Sequence, residues 1–584
     1  TMTVILLNMA SISAFWFFVF FALSGIGMEF LRLSGNLKRG CGQVFLGFWI
    51  GWSFLIVVLQ IWHFFLPITS LTFWFWICTG LFCQAGFVRK NLSFKNTTLK
   101  EVALYTAIIT LFTLWLSNRA LSYIGPTDAG LYHLNAIRWI SEYPVIPGLG
   151  NVHIRLGFNV SHFLYMAFIG SGPCHHVHNV ANGLLLWVTA SMIILRFFKI
   201  FRNPQETKPH HFLEAFFLIP VIHQCFKNSF TTSTDLPISL LGVLICVRTA
   251  KILFDTGRLK DLSFDFILVV FFSAIAITLK VNFIVLGGLY VLVAFVRCIH
   301  LGRREKVLIS FMPTIAIVTV GTGLIFVPWV VRGVILNGYL LFPSPFLSFP
   351  VDWKVPFGDV HLMMRYVQSW CRAPHKHPDE VLGNWNWFIP WLKRIVKDKF
   401  NIVLPIKLFF VSSLLSVMKK EKTPALRTSD LLLLVPPLGN LLFLFVLSPH
   451  PRYAGFTFWL LGSSSFIIAM RRWGVRNISI SAPAFTVLVV GITILTHISE
   501  NRLIIIPRQK TGHYKLPKAD LVIQKTKSGL TVFTPRHGDR CWNSPLPCTP
   551  YFNPDLQLRV PGDFSQGFFI PPNAPSRVFP KKKW

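Results

Sequence analysis

Residues 125–139 read Gly-Pro-Thr-Asp-Ala-Gly-Leu-Tyr-His-Leu-Asn-Ala-Ile-Arg-Trp, and they form a polar, charged island directly after a membrane-length apolar run. The island holds Asp128, His133 and Arg138, and ionisable groups beside lipid are costly unless they serve a function. In helical spacing the acid shares one face with the residues that follow it: Leu131, Tyr132, Asn135 and Trp139. The island therefore indicates a functional site at a bilayer surface, or an interfacial amphipathic connector whose Asp128 only caps a helix.

The composition places the chain among polytopic membrane proteins. Of 584 residues, 53% are hydrophobic and only 14% are charged, which is too little charge to cover a soluble globule of this length. The formal net charge of +33 comes from basic residues that punctuate the apolar runs instead of clustering on one soluble face. The positive-inside rule and anionic headgroups account for this pattern, so we expect membrane lipids and no nucleic acid as partners.

Apolar runs of spanning length predict the fold. A spanning helix needs about 20 apolar residues, and the sequence offers about fourteen such runs. They cover residues 4–27, 44–66, 71–88, 102–122, 178–198, 212–228, 235–252, 262–279, 282–299, 307–329, 401–418, 429–447, 454–470 and 480–498. The expected fold is an all-α polytopic membrane protein whose first run is a spanning helix and not a cleaved signal. The apolar piece at 158–172 is short, and we expect a re-entrant or interfacial helix there.

Lys and Arg residues are concentrated in alternate loops, which sets the expected orientation. The loops after the odd-numbered runs are rich in them, whereas the short loops of the other side carry almost none. The rich side is predicted to be cytoplasmic. Both termini, the polar island and the large loop at 330–399 then lie on the extracytoplasmic side of a bacterial inner membrane.

Three parts are expected along the chain. Residues 1–101 are predicted to add N-terminal spanning helices, and residues 102–498 to form the transmembrane core. That core carries two large external loops, at 123–177 and 330–399, and long loops with helices of their own are usually functional. Residues 499–584 are predicted to form a small extracytoplasmic segment rich in β-structure.

Several chemistries lack their sequence signatures. The chain holds no P-loop, no Gly-x-Ser-x-Gly elbow and no His-Glu-x-x-His helix. Its ten cysteines form no CxxC pair, and Cys541 and Cys548 are expected to form a disulfide in the polar C-terminal segment. The histidines at 175, 176 and 178 are expected to form an interfacial polar rim and not a metal site. No cofactor is assigned, and the acids would suit a divalent cation such as Mg²⁺ or Mn²⁺.

Charged and aromatic side chains recur where successive runs reach the predicted outer face. They are Asp128, His133, Arg138, Asp235, Lys280, Trp329, Arg332, His450, Arg452 and Tyr453. Each has a structural explanation of its own: Asp235 could cap its helix, Lys280 could snorkel, and Arg452 could pair with either acid. As a set, two acids and several cations at one interface suit chemistry on an anionic lipid headgroup, because cations hold a phosphate while an acid takes a proton.

The order and placement of these motifs resemble the GT-C superfamily of integral-membrane glycosyltransferases, which contains the protein O-mannosyltransferases and aminoarabinose transferases. The resemblance covers roughly residues 100–470 and rests on short motifs at 127–133, 234–237, 278–280, 328–332 and 451–453. This chain departs from the family pattern in having a single acid in the first loop instead of an adjacent acidic pair. Three additional spans also precede its matching core.

The resemblance implies roles for the site residues. Asp128 would be the general base, and Asp235 would be a second acid that positions the substrate or a metal. Lys280, Arg332 and Arg452 would neutralise the polyprenyl phosphate as it leaves. His133, Arg138, Trp329, His450 and Tyr453 are expected to contribute to substrate binding.

The function expected is therefore inverting hexosyl or pentosyl transfer from a polyprenyl-phosphate-linked sugar to a glycan, lipid or protein acceptor at the extracytoplasmic face. One alternative is a polysaccharide polymerase or O-antigen ligase, which also places cationic outer loops on a lipid-linked donor. Another is a lipid or sugar flippase, which would show inverted repeats and polar residues near mid-bilayer. A non-catalytic subunit of a larger complex is the third.

Overall fold

This computed structural model is dominated by α-helices. It describes residues 2–38, 40–91, 99–122, 128–173, 180–255, 257–418, 427–473, 489, 491 and 516–575. Within these residues, nine helical segments are long and apolar enough to cross a membrane. The prediction of a helical membrane protein is confirmed at this level. The predicted histidine rim lies outside the described residues, and so does nearly all of the predicted run at 480–498.

Four long helices open the chain. They are α1 (Met2–Leu33), α2 (Cys41–Trp62), α3 (Ser70–Asn91) and α4 (Leu99–Ala120). The first two approach closely through glycines, since a Cβ on Gly51 would meet the carbonyl oxygen of Leu23 at 1.9 Å. Gly47 and Gly51 form a small-xxx-small pattern, which lets helix backbones pack directly without a hydrophobic driving force between them.

The polar island opens a compact connector between the first four helices and the rest of the bundle. A π-helical turn covers Ala129–His133 and continues as α5 (Leu134–Glu142). After two 3₁₀ turns, Leu149–Asn151 and Ile154–Gly157, the chain forms α6 (His162–Gly170). This nine-residue helix is buried along its whole length and is too short to cross a bilayer, in keeping with a non-spanning piece.

The central helices run from α7 to α13: α7 (Val180–Arg202), α8 (Pro209–Phe216), α9 (Leu218–Asn228), α10 (Asp235–Phe254), α11 (Leu259–Leu279), α12 (Ile284–Arg304) and α13 (Met312–Asn337). The apolar run at 212–228 is not one helix but parts of two, which meet at Phe217. Pro220 explains the break, because proline has no N–H to donate and is tolerated only in the first turn of a helix.

Ion pairs hold α10 against α11 at the end where α10 finishes and α11 begins. Asp265 accepts from Arg248 Nη1 at 2.7 Å and from Lys251 Nζ at 2.5 Å. Because the two helices are antiparallel neighbours, the opposite ends, at Asp235 and Lys280, also lie together. That second pairing positions the site described below.

The large loop after α13 carries three short helices, α14 (Phe357–Arg372), α15 (Pro378–Val381) and α16 (Phe388–Ile395). The chain then returns to the bundle as α17 (Leu404–Val417), α18 (Thr428–Leu432), α19 (Val435–Leu447), α20 (Pro451–Ala454) and α21 (Thr457–Arg472). Every predicted apolar run except 480–498 overlaps at least one of these helices.

The C-terminal segment is a small β-structure docked on the connector. Strand β1 (Leu521–Lys525) pairs antiparallel with β2 (Thr531–Pro535), and β3 (Gln557–Leu558) pairs with β4 (Phe568–Phe569). Cys541 and Cys548 form the expected disulfide between the two pairs of strands. Isolated two-stranded ribbons are marginal, and this segment adds buried side chains, Phe568 and Ile570 among them, to the same apolar core as the helices.

Candidate functional site

Four side chains from distant parts of the sequence meet at one end of the helix bundle. Asp128 immediately precedes the π turn, Asp235 begins α10, Lys280 follows α11, and Arg452 lies on α20. We call these four residues the acid–cation cluster. All four were singled out from the sequence, and the structure brings them together.

Arg452 joins the two acids. Its Nη1 donates to Asp128 Oδ2 at 2.5 Å, and its Nε donates to Asp235 Oδ2. Lys280 Nζ donates to the other oxygen of Asp235. One guanidinium therefore bridges two carboxylates, while the ammonium holds the second carboxylate from the opposite side.

The cluster is graded from interior to surface. The exposed fraction of the side chain is 12% for Asp235 and 19% for Lys280, but 26% for Asp128 and 42% for Arg452. The Lys280 ammonium also lies 4.7 Å from the ring centroid of Tyr453, a cation–π contact. Asp235 and Lys280 thus form a fixed base, and Arg452 is the member that a ligand arriving from outside would reach first.

Neither acid acts as a helix cap. The Asp128 side chain makes no capping hydrogen bond to the turn it precedes, and α10 has no side-chain cap either. Both carboxylates are instead turned to cations of other elements. The prediction that Asp128 only caps a helix is therefore wrong, whereas the functional role of the island stays a prediction. π-helical turns like the one that follows Asp128 are frequent at functional sites.

The charges set the protonation state of the exposed half of the cluster. Burial raises the pKa of Asp128, but nearby positive groups, Arg452 foremost, outweigh it and lower the pKa to about 2. The Asp235 carboxylate raises the pKa of Arg452, and burial lowers the pKa of Lys280. Asp128 is therefore ionised and, while Arg452 holds it, a weak base.

His133 lies behind the cluster as a neutral group. Its Nδ1 is 2.9 Å from Thr232 Oγ1, and its ring lies against Phe163 with centroids 5.0 Å apart. Burial lowers the pKa of His133 to about 3. The side chain therefore supports the packing of the π turn and adds no charge at neutral pH.

His450 and Tyr453 support Arg452. His450 Nδ1 accepts from the backbone N–H of Arg452 at 3.1 Å, which caps the short helix α20. Asn282 Nδ2 donates to the carbonyl oxygen of Tyr453 at 3.3 Å and ties α20 to the segment that follows Lys280. Both predicted residues thus belong to the site, where they hold the arginine in place.

Three other predicted site residues lie elsewhere. Arg138 pairs with Glu142 at 2.6 Å and donates to the carbonyl oxygens of Asn543 and Ser544, so it anchors the C-terminal segment. Arg332 Nη1 donates to Asn159 Oδ1 at 2.5 Å, and Trp329 Nε1 donates to the carbonyl oxygen of the same asparagine at 2.9 Å.

Arg332 also lines a separate small cavity with His63, and the rings of Phe158 and Phe163 lie between that cavity and the π turn. The proposed role of Arg332 at the substrate phosphate stays a prediction that this geometry does not favour.

Two residues of the site were not assigned to it from the sequence. Arg155, on the second 3₁₀ turn of the connector, places its guanidinium 5.9 Å from the ring centroid of Tyr132. Tyr132 lies on the π turn directly behind Asp128. Arg155 could have been noticed as one of only two Lys or Arg residues in the loop at 123–177, on the predicted outer side, where such residues are scarce.

The C-terminal segment holds the π turn from outside. The backbone N–H of Trp542 donates to the carbonyl oxygen of Gly130 at 2.8 Å. A Cβ on Gly130 would lie 2.8 Å from the Trp542 ring, so only glycine permits this contact. The disulfide between Cys541 and Cys548 begins at the residue next to that tryptophan, and it therefore stabilises the surface that supports Asp128.

The fold and the cluster together define a class: a helical membrane protein with two acids and two cations at one end of its bundle. The chain belongs to the family described as Domain of unknown function (DUF8201), whose model matches residues 9–459. The matched range contains the whole acid–cation cluster and ends before the disulfide segment. No curated protein and no solved structure matches the chain.

Proposed function

We propose that this protein is a membrane glycosyltransferase that moves a sugar from a polyprenyl-phosphate donor to an acceptor hydroxyl, with Asp128 as general base. The observation that carries the proposal is the bridge from Arg452 to both Asp128 and Asp235. It gives a proton acceptor and a phosphate-binding group in direct contact, which are the two parts that this transfer requires.

Donor binding would activate the base. The phosphodiester of the donor competes with Asp128 for the exposed guanidinium of Arg452, since charge-assisted hydrogen bonds from arginine to phosphate are strong and commonly bidentate. Once Arg452 turns to the phosphate, Asp128 loses the partner that lowers its pKa, and burial raises that pKa toward the working range. Base strength is then coupled to the presence of the donor.

The transfer step balances with the residues at hand. The acceptor oxygen forms a bond to the anomeric carbon, and its proton passes to Asp128. The bond from the anomeric carbon to the phosphate oxygen breaks, and its electron pair leaves with the phosphate as a monoester. The added negative charge is stabilised by Arg452 and Lys280, while Asp235 keeps the ammonium in position.

The finer architecture belongs to the same proposal. It comprises about fourteen spans of GT-C type in three parts. The cluster would lie on the extracytoplasmic face of a bacterial inner membrane, which agrees with the alternate placement of Lys and Arg in the loops. The position of the cluster at helix ends supports an enzyme over a flippase, because α10 begins at Asp235 and α11 ends next to Lys280. A flippase is expected to place such groups near mid-bilayer.

The test uses the purified full chain in lipid nanodiscs, supplied with lipid-linked sugars extracted from bacterial membranes. Mass spectrometry follows each donor and its lipid product. We expect the wild type to convert one donor class to polyprenyl monophosphate, and Asp128→Asn to lower the rate about 10²- to 10⁴-fold. The matched control is Asp352→Asn, which removes a half-exposed carboxylate that pairs with Arg559 away from the cluster.

Two results would contradict the proposal. An Asp128→Asn protein that folds and retains the wild-type rate would remove Asp128 from the chemistry. Release of polyprenyl diphosphate in place of the monophosphate would identify a polymerase or ligase instead.

A further inference from the structure

The acid–cation cluster is electrically balanced. Asp128 and Asp235 contribute two negative charges, and Lys280 and Arg452 contribute two positive charges, with every cation already donating to a carboxylate. A phosphate that enters this cluster would bring an additional negative charge. Binding therefore calls for a nearby cation that is not already committed to an acid.

Arg155 meets that requirement. Its guanidinium lies over the ring of Tyr132, the next turn behind Asp128, and within the described part of the chain it makes no hydrogen bond or ion pair to an acid. The positive charge of Arg155 is close enough to Asp128 to help lower the pKa of that carboxyl. A guanidinium against an aromatic face keeps its N–H edges available for an oxyanion.

The backbone around Arg155 is held by contacts on both sides. Its N–H donates to His153 Nδ1 at 3.1 Å, and the His153 ring stacks on Tyr551 of the C-terminal segment with centroids 5.3 Å apart. Ile154, which lies between His153 and Arg155 in the sequence, is fully buried. The guanidinium is thus presented from a rigid turn, which limits the entropy lost when it binds a ligand.

Six other arginines at this end of the molecule are engaged. Arg138, Arg365 and Arg559 pair with carboxylates, Arg332 donates to Asn159, and Arg372 and Arg394 donate to backbone carbonyls. Arg155 differs from these six in having its donors uncommitted beside the acid–cation cluster.

We propose that Arg155 makes the first contact with the phosphate of the lipid-linked substrate. It holds the phosphate beside Asp128 while Arg452 releases the Asp128 carboxylate and binds the phosphate in its place. This assignment rests on the proposed function, and it adds a substrate-binding residue to it. The ligand chemistry is a phosphate ester, for which a prenyl chain and free phosphate are the two sources to be distinguished.

The experiment measures binding to the purified full chain in nanodiscs. The probes are farnesyl phosphate, farnesol and inorganic phosphate, and the proteins are the wild type, Arg155→Gln, Arg155→Lys and Arg365→Gln. The last is the matched control, since it removes an arginine of α14 that pairs with Asp379 of α15. Microscale thermophoresis gives Kd, and thermal unfolding reports whether each variant is folded.

We expect Arg155→Gln to weaken farnesyl phosphate binding about 10- to 100-fold, because it removes charge-assisted hydrogen bonds to the phosphate. Arg155→Lys should recover part of the affinity, since lysine keeps the charge without the planar fork. Farnesol binding should not change in any variant, and Arg365→Gln should match the wild type. Inorganic phosphate should bind far more weakly than farnesyl phosphate.

Unchanged farnesyl phosphate affinity in both Arg155 variants would overturn the inference, and so would inorganic phosphate binding as tightly as the prenyl ester. Failure of this inference can be told apart from failure of the proposed function. If Asp128→Asn abolishes transfer while Arg155→Gln affects neither binding nor transfer, the function stands and this assignment falls. If Arg155 controls prenyl phosphate binding but no sugar is transferred, the site stands and the function falls.

Discussion

The pair formed by Asp128 and Arg452 can be tested by a double-mutant cycle. Asp128→Asn keeps a hydrogen-bond acceptor but removes the charge, and Arg452→Gln removes the guanidinium that reaches both acids. Asp235 retains Lys280 in either variant, so the cycle isolates the contact between Asp128 and Arg452. Each single variant and the double variant are compared with the wild type.

The magnitude follows from how far each group is exposed. Fully exposed pairs contribute about 0 to 1 kcal/mol, and breaking a fully buried pair costs about 3 to 5 kcal/mol. With side chains 26% and 42% exposed, Asp128 and Arg452 lie between these limits but nearer the screened one. We expect a coupling free energy of about 1 to 2 kcal/mol, and a loss of about 2 to 3 kcal/mol for Arg452→Gln alone because it also leaves Asp235 with one partner fewer.

The assay is the free energy of unfolding in detergent micelles, measured by steric trapping at low and high salt. The coupling should shrink at high salt, as it does for partly exposed charge pairs. Additive effects, with a coupling free energy below about 0.5 kcal/mol at low salt, would refute the bridge.

Three further predictions concern the support of the cluster. Because the pKa of His133 is about 3 in the folded protein and near 6.5 in the unfolded chain, this group alone should lower stability by about 1.4 kcal/mol per unit as pH drops from about 6 to 4. A pH titration of unfolding should show a slope that is smaller by that amount in His133→Gln than in the wild type. Gly130→Ala should cost about 1 to 3 kcal/mol through overlap with Trp542, whereas Gly288→Ala, with open space around its Cβ, should be neutral or stabilising in the same unfolding assay. Cys541→Ser should weaken the C-terminal segment by about 2.5 kcal/mol, seen as faster proteolysis of residues 516–575, and an unchanged cleavage rate would argue against that support.

The residues of the acid–cation cluster could be predicted from the sequence because the order of the apolar runs decides which helix ends lie on the same face. Uninterrupted apolar runs become helices, and alternate helix ends share one face, so Asp235, Lys280 and Arg452 had to reach the same level. The order of the motifs does not determine which of the residues at that end of the bundle touch one another. Arg332 lies in the last part of α13 with its side chain toward Asn159, and nothing in its local sequence specifies that direction.

Two other differences have the same physical origin. Arg138 lies ten residues after Asp128, which at about 100° per residue turns it to another face of the helix, where it meets Glu142 and the C-terminal segment. Arg155 lies on a 3₁₀ turn in a connector without apolar periodicity, so no pattern gave its direction. Contacts between loops depend on tertiary packing, so the positions of Arg138 and Arg155 could not be predicted from the sequence.

On the proposed function, the acid–cation cluster binds substrate phosphate, and this binding frees Asp128 from Arg452. A cryo-electron microscopy structure of the wild type in nanodiscs with farnesyl phosphate would show both events. We expect phosphate density within about 3 Å of Arg452 and Arg155, with Asp128 no longer bound to Arg452. Phosphate density at Arg332, with the guanidinium of Arg452 still bridging both carboxylates, would contradict it.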